Sequence, residues 1–248
     1  APEPGKVLYL DYEAGPDELY ERLEALRKGL GSDTPSQVRY RFCHLPLTSD
    51  TAEVQRLVSE YGIDLVIVDS VGLACGAMEG GEGFTAAALA YFRALRSLRV
   101  TTLSIDHVSK EKALFGSVYK TNLSRSVWEV KKAQEPDEDT LHLGLFHRKV
   151  NKGKLLRPIG LRFTFSEDGV TVVREDVRDV PGLAGSAPLK GRIVGELKRG
   201  AMTVKELASE LGLEQKEEAS VRTTLHRHSQ LFTRVGDKWG LASQEEAG

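Results

Sequence analysis

Apolar residues in this chain gather in short continuous runs, separated by stretches in which they recur at helical spacing. Residues 6–11 (KVLYLD), 63–68 (IDLVIV) and 100–105 are runs of strand length, and 38–45 has the same character, so each predicts a buried strand. Between the first two strands, Leu19, Leu23, Leu26 and Leu30 predict a helix that Gly29 and Gly31 close. Asp50 with Glu53 has the spacing of a capping box, opening a helix with Val54, Leu57, Val58 and Tyr61 on one face and Gly62 at its stop. A Gly-rich loop from Gly76 to Gly83 leads into a helix carrying Phe84, Ala88, Tyr91, Leu95 and Leu98. Strands alternating with helices predict an α/β fold: a parallel sheet with helices on both faces.

The texture changes after about residue 126. VWEV, LHLGLF, LRFTF and VTVV are short strands separated by turn clusters at 136–139 and 167–169, which predicts an antiparallel extension of hairpins. Residues 179–188 (DVPGLAGSAP) read as a linker. Beyond it, Ile193, Val194 and Leu197 pattern one helix. Thr203 caps a second with Glu206 in the third position. A third runs over 215–230, with Val221, Leu225 and His228 in register, and a hairpin turns at Gly236-Asp237. Three helices followed by a two-stranded wing is the order of a winged helix-turn-helix domain. The expected organisation is a core over 1–178, a linker over 179–188, a winged-helix domain over 189–243 and a tail over 244–248.

A net charge of -2 over 248 residues excludes a protein that coats nucleic acid with its whole surface, so any such contact must be local. The two cysteines, Cys43 and Cys75, lack partner motifs and are expected as packed free thiols. No apolar run is long enough to span a membrane and no signal segment opens the chain, so a cytoplasmic protein is expected.

Three strand ends carry polar groups at what would be one edge of the sheet: Asp11-Tyr12-Glu13, Asp69-Ser70 and Asp106-His107. Ligands of open α/β sheets bind beyond the carboxyl ends of the strands. Carboxylates and a histidine converging there suit a nucleotide-bound magnesium ion and an activated water.

The strings VLYLDYE, DLVIVDS, IDHVSK and GSVYKTNLSRSVWEVKK, in that order, resemble the RecA-like ATPases of the plasmid RepA hexameric-helicase type. The resemblance covers roughly residues 6–175. It implies a RecA-like parallel sheet, ATP and Mg as cofactors, a hexameric ring and action on DNA as a helicase or translocase. It implies Glu13 as general base, Asp69 with Ser70 at the nucleotide, Asp69 holding magnesium through water, and His107 as sensor of the γ-phosphate. Arg125 is then the finger that reaches a neighbouring subunit's nucleotide, and Lys149 a second cation acting in trans.

One departure is plain. No GxxxxGK[ST] loop occurs within these residues, so the phosphates lack their usual cradle of backbone N–H groups and lysine. Because the chain opens on Ala1-Pro2-Glu3-Pro4 without a methionine, it is expected to begin after its P-loop and to bind ATP poorly by itself. The alternative is a DNA-binding or adaptor protein whose ATPase-like part is a scaffold. In the C-terminal domain, Lys216, Arg222, Thr223 and Arg227 on the third helix, with Arg234 and Lys238 on the wing, fit a major-groove reader. Glu214, Glu217 and Glu218 on the same helix leave protein contact open. His226 and His228, two residues apart, have poor metal spacing; one exposed and one half-buried histidine is expected.

Overall fold

The computed structural model describes residues 5–32, 37–76, 83–107 and 118–242. Most of the Gly-rich loop after Gly76, the VSK and GS parts of the recognised strings and the C-terminal tail lie outside the described residues. The chain divides into two compact units, one of residues 1–127, 149–153 and 166–171, the other of residues 128–148, 154–165 and 172–248.

In the first unit, strands β1 (Val7–Asp11), β2 (Val38–Phe42), β3 (Leu65–Asp69) and β4 (Thr101–Ile105) form one sheet in the order β2-β1-β3-β4. Every pairing is parallel. The RecA-like resemblance implies this order, with residues 38–45, 6–11, 65–68 and 101–105 side by side. Successive side chains alternate between faces, so Leu8, Leu10, Val66 and Val68 point into a core shared with Val54, Tyr91 and Leu95. Full burial of each such aliphatic side chain contributes about 1.5–3 kcal/mol. The core is closed by helices α2 (Leu47–Tyr61), α3 (Val71–Cys75) and α4 (Phe84–Ser97), while α1 (Pro16–Gly29) buries none of its residues.

Two features of this unit differ from expectation or extend it. Helix α2 starts three residues before Asp50, after Pro46, and has no side-chain cap. The Asp50 carboxylate instead accepts from Arg41 at 2.6 and 2.8 Å, because a cation on β2 outcompetes the local backbone for it. Its end is as read: Gly62 adopts φ 61°, a left-handed conformation that suits glycine. Among the described residues β4 pairs only with β3, and Leu103 and Ile105 on it are 50% and 38% exposed. Such an edge has unpaired N–H and C=O groups.

Strands β5 (Ser126–Ala133), β6 (Thr140–Val150), β7 (Ile159–Ser166) and β8 (Gly169–Glu175) follow one another in a single sheet, antiparallel at β6–β7. The stretch expected as a linker is not one. It contains α6 (Pro181–Ala184), and Val180, Leu183 and Ala187 pack with Phe146 and Val177 in a small core. Only Leu183 of the three lies in α6; Val180 precedes the helix and Ala187 follows it, so no helical period marks the cluster and the Gly, Pro and Ala content conceals it.

Helices α7 (Leu189–Leu197), α8 (Val204–Glu210) and α9 (Glu218–Arg227) and the antiparallel hairpin of β9 (Phe232–Val235) and β10 (Lys238–Leu241) share a further core that includes Ile193, Leu207, Leu225 and Trp239. The Thr203 capping box of α8 is complete in both directions. The third helix is shorter than 215–230: residues 215–217 form a separate turn, capped at Glu214 by Glu217.

Candidate functional site

The parallel register places the ends of β1 and β3 side by side, Asp11 beside Asp69, with Ile105 of β4 next in line. Asp11 is the anchor of this edge. It is 3% exposed and accepts the backbone N–H groups of Glu13, Ala14 and Gly15 at 2.9, 3.0 and 2.9 Å. The Tyr40 hydroxyl donates to it at 2.9 Å. Burial pushes the Asp11 carboxyl up, but these donors outweigh it and hold the group below its ordinary range. Asp11 therefore fixes the turn on which Glu13 stands.

Glu13 projects from that turn toward the end of β3. The buried Ser70 hydroxyl donates to its Oε1, and the Nε2 of exposed His107 lies 3.4 Å from the same oxygen. Glu13, Ser70 and His107 thus converge, and Asp69 is covalently next to Ser70 at the same edge. The Asp69 carboxylate accepts from Tyr9 on β1. Burial and then the bond to Asp69 push the Tyr9 phenol above its ordinary value, so it remains a donor. Ser70, expected at the nucleotide, donates its hydroxyl to Glu13.

Past β4, Asp106 pairs with Lys120 of α5 (Val118–Leu123) at 3.0 Å; Lys120 is 3% exposed. Burial raises the Asp106 carboxyl, against the pull of Lys120. Arg125 is exposed on the turn after α5, and its carbonyl accepts from Asn151 at 2.9 Å. Lys149 does not extend outward as a second trans cation would. Its ammonium donates to the carbonyls of Thr121, Asn122 and Ser124 at 2.7, 3.0 and 2.7 Å, capping the end of α5.

Residues 1–113 match an AAA domain. The match spans β1–β4 with Glu13, Asp69, Ser70 and His107, and ends before Arg125 and Lys149. It covers less than half of the chain. The KaiC-like protein PH0186 from the hyperthermophilic archaeon Pyrococcus horikoshii OT3 is a similar solved structure, at 13% identity and a TM-score of 0.48. It covers 68% of this chain and 76% of its own, a likeness too distant to carry an argument. Comparison with curated proteins gives no significant match.

The carboxylates fit the metal and water end of a bound nucleotide: Asp69 is ordered by Tyr9, and Glu13 by Ser70. Among the described residues no three His, Cys, Asp or Glu side chains group closely enough to hold a metal directly, so an ion here would rely on water and on phosphate oxygens. No described helix is long and apolar enough to cross a membrane. Both cysteines are buried and unpaired.

The candidate DNA-contacting residues lie on the C-terminal helices and hairpin, all exposed. Arg222 of α9 and Arg234 of β9 line one groove of about 520 Å³, together with Lys205, Glu218, His226 and Asp237. Thr223 and Arg227 lie on α9 and Lys238 on β10, without lining that groove. Lys216 stands before α9 and pairs with Glu214 at 2.7 Å. His226 is exposed, with its ring edge-on to Trp239 at 5.0 Å, and His228 is half-buried.

Sequence reasoning missed Tyr9, Tyr40 and Lys120. The signal for the tyrosines was present: a period of two puts Tyr9 on the face of Asp11, and Tyr40 faces it once β2 is set beside β1. Lys120 lay inside a recognised string but gave no local sign that it would be buried against Asp106.

Proposed function

We propose that this chain carries the catalytic edge of a RecA-like nucleoside triphosphatase that acts on DNA. The observation that carries the reading is the convergence of Glu13, Ser70 and His107 beside Asp69 at the carboxyl edge of a parallel sheet. Glu13 accepts a proton from the attacking water, and Ser70 aims its carboxylate. Asp69, its rotamer fixed by Tyr9, would hold the water shell of a bound magnesium ion. Bound magnesium would screen phosphate charge there. His107, in contact with Glu13, is read as the sensor of the terminal phosphate. Arg125, exposed on its turn, serves a nucleotide held by a neighbouring copy, in keeping with a hexameric ring of the RepA helicase type. The three-helix and hairpin segment is read as a winged helix that contacts DNA.

Residues 1–248 contain no GxxxxGK[ST] motif, and this favours a second reading in which the sheet is a scaffold for the C-terminal segment. The two readings separate in one experiment. Residues 1–248 should bind Mg-ATP weakly. Where a longer product of the same gene contains a GxxxxGK[ST] loop, it should hydrolyse ATP, and Glu13→Gln should lower its turnover about 100-fold or more while sparing binding. Hydrolysis unchanged by Glu13→Gln would remove Glu13 from the mechanism. No nucleotide binding by any product of the gene would leave the scaffold reading.

A further inference from the structure

We infer that the groove between α9 and the β9–β10 hairpin clamps the sugar-phosphate backbone of duplex DNA, and that it does so without α9 leading into the major groove. The inference deepens the DNA-contact reading above and is independent of the nucleotide site. Within residues 189–242 there are ten lysines and arginines against seven aspartates and glutamates, although the whole chain has a net charge of -2. The positive charge that a phosphate surface would attract is therefore concentrated in this segment.

Its distribution decides the mode of contact. A recognition helix that reads bases contacts them with its N-terminal residues. Here that end is acidic: Glu214, Glu217 and Glu218 surround it, with only Lys216 in opposition, and Lys216 is paired to Glu214. Duplex DNA carries one negative charge per about 1.7 Å of axis, so these carboxylates would face phosphates on both groove walls. The cationic groups lie further along α9 and across the groove. Arg222 lies on α9, Arg234 faces in from the hairpin, and Lys205 comes from the start of α8. Phosphate contacts of this kind fix position and carry no sequence information.

Glu218 and Asp237 also line the groove. Three permanent cations (Lys205, Arg222 and Arg234) against two carboxylates leave a single net positive charge. The balance makes the site sensitive in both directions: removing an arginine abolishes the excess, and neutralising Glu218 increases it.

The test is fluorescence anisotropy with residues 1–248, without nucleotide, on two labelled duplexes of unrelated sequence, across a salt series. Wild type should bind both with affinities within about threefold of each other and with steep salt dependence. Arg222→Ala with Arg234→Ala should weaken binding about tenfold or more and lower the salt slope by about two. Glu218→Gln should tighten binding a few-fold, a gain that misfolding cannot imitate. Far-UV circular dichroism checks the fold of each variant. The proposal is overturned by affinities about 100-fold apart between sequences, by an unaffected double variant, by weaker binding of Glu218→Gln, or by an absence of DNA binding in wild type. In the last case, capture of an acidic peptide by the same groove would assign it to protein contact. Because ATP takes no part, none of these outcomes bears on Glu13.

Discussion

Replacing Asp11 by Asn preserves the shape of a nearly buried side chain and changes only what its atoms can accept. One Asp11 oxygen takes the N–H groups of Glu13 and Ala14, and the other takes Gly15 N–H and the Tyr40 hydroxyl. An amide supplies one acceptor oxygen. With that oxygen toward Glu13 and Ala14, its NH₂ group meets the Gly15 N–H, and two donors oppose each other. Tyr40 can rotate its hydroxyl to accept, but Gly15 cannot. Leaving one buried donor unpaired costs about 1–3 kcal/mol. Loss of charge assistance in the surviving bonds adds to it, so the expected destabilisation is about 2–4 kcal/mol near neutral pH.

The pH dependence follows from the lowered carboxyl. A group whose folded pKa lies below its ordinary 3.8 contributes its full stabilisation above that value and loses it as pH falls through the folded pKa. The gap between wild type and Asp11→Asn should therefore narrow below about pH 4. Trp128 and Trp239 both lie in the other unit, so fluorescence would not report this change. Hydrogen exchange of β1 and β3 amides across a urea series would. A gap under about 0.5 kcal/mol at neutral pH, or one unchanged at about pH 3, would refute the reasoning.

Two further outcomes are expected alongside the Glu13 and groove tests. Leu183→Ala should destabilise the second unit by about 2–5 kcal/mol in urea unfolding followed by Trp128 fluorescence, because Leu183 is fully buried; a true linker residue would show almost no effect. Lys149→Met should leave three carbonyls at the end of α5 without their ammonium and raise hydrogen exchange around 121–125, while Lys149→Arg should restore part of the protection. Unchanged exchange in Lys149→Met would return that lysine to the list of free cations.

The sequence by itself determined the parallel strands and the edge at which polar groups gather. Strand-length apolar runs alternating with helical stretches carry the first, and the Asp residues that close three of those runs carry the second. It also determined helix ends where one residue suffices, such as Gly62 and Thr203. Only the tertiary structure decided which polar groups hold others in place. Asp11 is a turn anchor, Ser70 an orienter of Glu13, and Lys149 a helix cap, and local spacing shows none of these partners. A side chain's partner lies across the sheet or on another element, and local spacing does not record that distance. The same reason explains residues 180–187: their composition is that of a linker, and burial against Phe146 is a property of where β6 happens to pass.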